Sequence, residues 1–214
     1  MIRLLSDRSR PAVIIVGGHS RGVGKTSVVE HILRTRGTDE RWVAVKVSAH
    51  RHATGAGTAA PVEEATWPSP LTQSGRYLAA GARRAFLCRA PDAHLPDTAT
   101  FVRGLLAAGA SVIVESNRIA RLVPADLLLF VVSPSILDWK PSSGPCLTRA
   151  DALVTAESAA AVPAAVAARG GCLDSRPVFE IDSDRRVSRL DSWLEGRLAR
   201  PTVGAGRVLE QPHM

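Results

Sequence analysis

The sequence predicts an α/β fold in which a mainly parallel sheet of about seven strands is covered by helices on both faces. Short apolar runs alternate along the chain with segments of helical spacing, a pattern typical of parallel sheets. The chain has 214 residues, 45% of them hydrophobic and 22% charged, which is the composition of an ordinary globular protein. This length suits one domain, predicted over residues 1–200. Residues 201–214 have no pattern and are expected to form a mobile C-terminal tail.

The predicted strands are apolar runs that suit burial on both faces of a sheet. The first occupies residues 12–16, and the other six lie at residues 42–45, 85–88, 112–114, 127–132, 152–154 and 177–181. Helices are predicted at residues 26–36, 71–80, 98–108, 157–169 and 184–199, where apolar residues recur at helical spacing. Pro163 is expected to break or restart the helix at 157–169.

Two long connections follow predicted strands. Residues 48–70 are rich in Ala, Gly, Thr and Pro, residues 133–147 are rich in Pro and Ser, and neither has an apolar period. The carboxyl ends of the strands form the ligand crevice of an open parallel sheet, so loops at these ends are expected to serve function. Disorder is the alternative explanation for both.

Residues 17–26, with the sequence GGHSRGVGKT, are typical of a phosphate-binding loop between a strand and a helix. In such a loop the backbone N–H groups surround an anion, Lys25 reaches the β and γ phosphates, and the Thr26 hydroxyl binds magnesium. The loop is atypical at His19, where the full pattern has a glycine. It predicts a three-layer P-loop NTPase fold. The residues predicted to bind nucleotide are Gly18, His19, Ser20, Arg21, Gly22, Val23, Gly24, Lys25, Thr26, Ser27 and Lys46.

The predicted strand at 112–114 is followed directly by Glu115. Its carboxylate is expected to face the phosphate loop, where it can bind Mg²⁺, directly or through water, or orient an attacking water. We therefore predict Lys25 and Glu115 as catalytic residues, and Thr26 and Glu115 as metal-binding residues. A solvated glutamate at the end of a strand is the alternative.

Several other residues near strand ends are candidates for ligand contacts. Lys46 ends the second predicted strand, and His50 and His52 follow it on an irregular loop. No cysteine or acidic cluster accompanies the two histidines, so a nucleotide or substrate loop is favoured over a metal site. Glu157 stands where the usual guanine-binding motif would lie and is a candidate acceptor for a guanine edge.

The net charge of +7 arises from 24 arginines and three lysines against 20 acidic residues. The arginines are scattered and aromatic residues are few, so nucleic-acid binding is not predicted. In a chain that so prefers arginine, Lys25, Lys46 and Lys140 mark positions that require a compact ammonium, unless chance placed them there. No apolar run is long enough to span a membrane and no secretory signal is visible, so a cytoplasmic protein is predicted.

Several of these segments resemble, in the same order, the MobB family of molybdopterin-guanine dinucleotide biosynthesis. The resemblance covers most of residues 12–157 and includes the phosphate loop, Lys46 with nearby histidines, Arg76, Glu115 and residues 138–142. It implies a protein that binds GTP and Mg²⁺ and hydrolyses GTP weakly. It also implies a homodimer that assists a MobA-type guanylyltransferase.

Two other classes of function remain open. An ATP-dependent small-molecule kinase would need an arginine-bearing lid, for which Arg83, Arg84, Arg118 and Arg121 are available. A non-catalytic adaptor would use the nucleotide only to set its conformation. Hydrolysis is expected to be slow in any case, because no water-orienting glutamine or arginine finger is identifiable.

Overall fold

The structure, a computed structural model, describes residues 10–36, 41–49, 62–181 and 189–199. His50, His52 and the predicted tail lie outside the described residues. The strands of the described part are β1 (Val13–Gly18), β2 (Trp42–Ser48), β3 (Val62–Glu64), β4 (Arg84–Arg89), β5 (Ser111–Glu115), β6 (Leu127–Val131), β7 (Ala152–Thr155) and β8 (Val178–Glu180). The helices are α1 (Lys25–Arg36), α2 (Gln73–Ala79), α3 (Leu95–Ala107), α4 (Ser143–Arg149), α5 (Val162–Ala167) and α6 (Arg189–Leu198).

The eight strands form one sheet in the order β3-β4-β2-β5-β1-β6-β7-β8. All neighbouring strands run parallel except β3, which pairs antiparallel with β4 at the edge of the sheet. The carboxyl ends of β1, β5 and β2 are therefore neighbours, and they bring residues from distant parts of the chain to one edge. The predicted α/β class is confirmed.

Helices cover both faces of the sheet, because alternate strand residues point to opposite sides. Val13 and Ile15 belong to a core cluster that includes residues of α3, α4 and α5. Ile14 and Val16 belong to a second cluster, with residues of α1, α2 and α6. The molecule thus has three layers, with the sheet between two layers of helices. Within the described residues, no helix has the length and apolar character needed to cross a bilayer.

Two elements overlap segments that the sequence predicts as long connections: β3 lies within residues 48–70, and α4 begins within residues 133–147. The strand β3 has no apolar pattern because all of its residues are exposed, and Glu63 and Glu64 pair with Arg89 and Arg84 of β4. The helix α4 buries Cys146 and Leu147 but also contains Ser, Gly and Pro residues, which weakens its helical signal. The two predicted long connections are therefore shorter than expected, because each contains part or all of a regular element.

Pro163 acts at the start of a helix. A short 3-10 turn at Ala159–Ala161 precedes α5, and Pro163 lies in the first turn of that helix. Proline is tolerated there because the first N–H groups of a helix have no partner within it. The helix predicted over 157–169 is accordingly shorter than expected, and the proline restarts it.

Candidate phosphate-binding site

The phosphate loop connects the end of β1 to the start of α1, which begins at Lys25. Gly22 and Gly24 have φ angles of +75° and +96°, in the left-handed region where glycine carries no steric penalty. The N-terminal amides of α1 face the loop, and they add the positive end of the helix dipole to it. The backbone is thus shaped to surround an anion.

Close contacts with the neighbouring elements explain why the loop opens with two glycines. A Cβ on Gly17 would overlap the Cys146 sulfur and lie 2.8 Å from Asn117 Oδ1, and one on Gly18 would lie 2.9 Å from the Val131 carbonyl oxygen. Asn117 fixes the loop further, since its Oδ1 accepts the Gly18 N–H at 2.8 Å and its Nδ2 donates to the Gly18 carbonyl at 2.9 Å. The segment that follows β5 therefore holds the first part of the loop.

His19 occupies the consensus glycine position with its side chain fully buried and directed away from the cleft. Its Nε2 accepts the Ser133 N–H at 3.0 Å, and its Nδ1 lies 3.2 Å from the Asp138 carbonyl oxygen. This arrangement assigns a neutral ring with its proton on Nδ1. Burial lowers the pKa of His19, although the backbone hydrogen bonds oppose that shift. Its φ is not positive, so this position does not require glycine.

Further bonds attach residues 133–142 to the same loop. The Lys140 N–H donates to the His19 carbonyl at 2.9 Å, and Ser20 Oγ donates to Asp138 Oδ2 at 3.2 Å. The Trp139 ring stacks on His19. These contacts hold Lys140 at the rim of the cleft, where burial and the nearby Arg21 lower its pKa.

The carboxylate of Glu115 is buried at the end of β5 and receives three hydrogen bonds. Thr26 Oγ1 donates to Oε2 at 2.9 Å, Tyr77 donates its hydroxyl proton to the same oxygen, and Lys46 Nζ donates to Oε1. Burial alone would raise the pKa of Glu115. The charge of Lys46 and the three hydrogen bonds outweigh burial and hold that pKa below its usual value. Glu115 is therefore ionised at neutral pH.

Lys25 lies at the base of the loop, and its Nζ donates to the Ser20 carbonyl oxygen. Burial lowers the pKa of Lys25 to about 8, and Lys140 and Lys46 act in the same direction while Glu115 opposes them. An anion placed in the loop would reverse this effect, because it would favour the charged ammonium.

These groups line one cleft of about 640 Å³ at the carboxyl edge of the sheet. All three lysines of the chain line it, although they come from three distant parts of the sequence. Among the described residues, Glu115 is its one carboxylate. Of the residues predicted to bind nucleotide or metal, those that line the cleft are Gly18, Arg21, Gly22, Gly24, Lys25, Thr26, Ser27, Lys46 and Glu115. The cleft is strongly cationic and suited to a polyanion.

Other candidates lie elsewhere. The side chains of Ser20 and Val23, like that of His19, do not line the cleft, and Val23 belongs to the core. Glu157 accepts hydrogen bonds from Ser133 and Ser135 outside it. Of the four arginines available to a kinase lid, Arg118 lines the cleft, whereas Arg83, Arg84 and Arg121 do not.

Sequence reasoning did not foresee the contacts of two residues that organise this site. Tyr77, the one tyrosine of the chain, is fully buried on α2 and contacts Glu115 across 38 residues. Asn117 holds the phosphate loop across 99 residues. In the sequence, Tyr77 stands out as the one tyrosine of the chain, and Asn117 as a near neighbour of Glu115. Neither observation indicates which residue the side chain contacts.

No protein-family model matches the chain, and no curated protein matches it in sequence. Among solved structures, the chain is similar to that of LpxK from Aquifex aeolicus in complex with ATP, with 17% identity and a TM-score of 0.45. The similarity covers 79% of this chain and 53% of the LpxK chain, so this chain spans about half the length of LpxK. Nothing about the ligand of this chain follows from so distant a likeness.

Proposed function

We propose that this chain binds a magnesium-bound nucleoside triphosphate at the carboxyl edge of its sheet, with GTP as the preferred nucleotide. The observation that supports this most directly is the meeting of the phosphate loop, Lys25, Thr26 and Glu115 in one cleft. The loop amides and Lys25 would hold the β and γ phosphates. The preference for GTP rests on the sequence resemblance to the MobB family.

The residues present fit a magnesium ion that arrives with the nucleotide. Thr26 Oγ1 and Glu115 Oε2 are hard oxygen ligands 2.9 Å apart, and Mg²⁺ is usually held by one or two protein oxygens together with phosphates and waters. No cluster of three or more His, Cys, Asp or Glu side chains in the described part of the chain can hold a metal on its own. When bound, the ion would neutralise charge on the phosphates. Thr26 and Glu115 would orient it.

Slow hydrolysis is expected because of the hydrogen bonds and the lowered pKa of Glu115. Both carboxylate oxygens accept hydrogen bonds, and the lowered pKa makes the group a weak base. Glu115 is accordingly better suited to orient a hydrated ion than to remove a proton from water. In this proposal, a partner protein supplies what turnover requires.

The biological role in the proposal comes from the same resemblance. A MobB-like protein would form a homodimer and assist a MobA-type guanylyltransferase in attaching GMP to molybdopterin. The order of the segments that resemble the family, across residues 12–157, supports this role. Lys46 and Arg76 lie among those segments and line the cleft.

Calorimetric titration with GTP and ATP, each with and without magnesium, tests the proposal. We expect magnesium-dependent binding with GTP tighter than ATP. Lys25→Ala should abolish it, whereas Arg121→Gln, outside the cleft, should bind like the unaltered protein. Preference for ATP would contradict the GTP assignment, and absence of binding to either nucleotide would contradict the function itself.

An ATP-dependent small-molecule kinase is the second candidate. One observation favours it: Arg118, one of the arginines that an acceptor site would need, lines the same cleft as the phosphate loop. ATP consumption that depends on one member of a metabolite panel would support a kinase. Consumption unaffected by every acceptor would count against it.

A further inference from the structure

The cleft is wider than the phosphate loop alone requires. The loop lies at the end of β1, whereas Lys46 lies on β2, two strands away in the order β1-β5-β2. Adjacent strands are about 4.8 Å apart, so these two strand ends are separated by about 10 Å. Beyond β2, Arg118 donates a hydrogen bond to the carbonyl oxygen of Ala90, which follows β4. The cleft therefore has room beside a nucleotide's phosphates.

The cations Lys46, Arg76 and Arg118 line the cleft from outside the phosphate loop, and the Lys46 ammonium also pairs with Glu115. Arg118 donates to Asp92 at 2.7 Å and to Ala90, and Arg76 donates through Nε to Glu30. A guanidinium has five N–H donors. Among the described residues these contacts use two donors of Arg118 and one of Arg76, which leaves others for a ligand. The same contacts orient both guanidinium planes in advance.

The two arginines approach from different elements. Arg76 is on α2, and Arg118 lies three residues beyond the end of β5. A phosphate group has three terminal oxygens and can accept hydrogen bonds from two separate arginines at once, whereas a carboxylate has only two oxygens. The adjacent Gln73 adds an uncharged polar side chain to this wall of the cleft.

We infer that Lys46, Arg76 and Arg118 form a second oxyanion subsite, which binds the phosphate group of a phosphomonoester small molecule beside the nucleotide. Its place next to a nucleotide rests on the proposed function, but its residues lie outside the phosphate loop. The ligand chemistry is thus that of a phosphorylated co-substrate or effector.

The first test uses protein saturated with Mg²⁺ and a non-hydrolysable triphosphate, titrated with inorganic phosphate and with acetate as a planar oxyanion. We expect phosphate to bind and acetate to bind more weakly, measured as a rise in unfolding temperature with concentration. Arg118→Gln and Arg76→Gln should each weaken phosphate binding about tenfold or more, since each loses a charge-assisted hydrogen bond. Arg121→Gln is the matched control and should leave it unchanged.

The second test separates this inference from the proposed function. The Lys25→Ala substitution disables the phosphate loop. Phosphate binding that persists in Lys25→Ala protein, and is lost when Arg118→Gln is added, supports the subsite whether or not the protein binds nucleotide. Absence of phosphate binding in both proteins would overturn the inference. So would an equal loss of nucleotide and phosphate affinity in Arg118→Gln, because these cations would then serve the nucleotide itself.

Folding is monitored by circular dichroism. The Arg118–Asp92 pair involves an exposed aspartate, and such pairs contribute little to stability. If Arg118→Gln fails to fold, Arg118→Lys keeps the charge but loses the planar donor set. It should bind phosphate more weakly than the unaltered protein, and equal binding would count against the subsite.

Discussion

The ring of His19 stacks on Trp139, with 4.5 Å between ring centroids and 21° between ring planes. This contact explains how a phosphate loop accommodates a bulky residue at its consensus glycine. The histidine side chain leaves the loop on the side away from the cleft and becomes part of the core, so the anion-binding surface stays open.

Replacing His19 with the consensus glycine should destabilise the protein. His19→Gly removes the stacked ring and the acceptor for the Ser133 N–H, at a cost of about 2–4 kcal/mol in the free energy of unfolding. Urea unfolding of the two proteins measures the difference. A variant as stable as the unaltered protein would show that the ring and its hydrogen bonds do not stabilise the loop.

His19 should also make stability depend on pH. Its pKa is lowered in the folded protein, so the unfolded chain binds a proton more readily as the pH falls through about 6.5. The contribution of neutral His19 is thus fully present above that pH and declines below it. His19→Gln cannot titrate, and the difference in unfolding free energy between the two proteins should change between pH 7 and 5. A constant difference would contradict the assignment of a buried neutral ring.

Nucleotide affinity should fall in alkaline solution. The pKa of Lys25 is about 8, so its ammonium, which is charged at pH 7, becomes neutral as the pH rises through that value. Affinity is expected to weaken by up to about tenfold per pH unit above pH 8, as measured by calorimetry at pH 7, 8 and 9. In Lys25→Arg the cation stays charged, so the decline should disappear even if binding is weaker at pH 7. An unchanged affinity in the original protein at pH 9 would be inconsistent with this role.

Tyr77→Phe should weaken the response to magnesium more than it weakens nucleotide binding itself. The substitution removes one hydrogen bond from the buried Glu115 carboxylate and leaves the ring in place. We expect unfolding free energy to fall by about 1–3 kcal/mol and the pKa of Glu115 to rise. Titrating magnesium at fixed nucleotide gives the apparent metal affinity, with Glu115→Gln as the reference for loss of the carboxylate. Unaltered magnesium affinity in Tyr77→Phe would mean that the hydroxyl only fills the core.

Local patterns were enough to predict the α/β class and seven of the eight strands. Buried parallel strands are continuous apolar runs, and the phosphate loop has a characteristic glycine spacing. Both can therefore be recognised in short stretches of sequence. The strand β3 was not predicted because all three of its residues are exposed, two of them are glutamates, and pairing with β4 holds it in place. The contacts of Tyr77 and Asn117 escaped prediction for a similar reason, because both are tertiary and no nearby residue specifies the partner. The functional roles assigned to Lys25, Thr26 and Glu115 stay predictions.

The hydrogen bonds to Glu115 also bear on when the site forms during folding. Its partners come from α1, β2 and α2, at separations of 89, 69 and 38 residues along the chain. Contacts between such distant residues require loop closure and form slowly compared with local helices. A partly folded chain that contains the phosphate loop and α1 would therefore lack the complete ligand set around this carboxylate. A ligand whose binding requires Glu115 in its native position should therefore bind only to folded molecules. Such a ligand stabilises the folded state selectively.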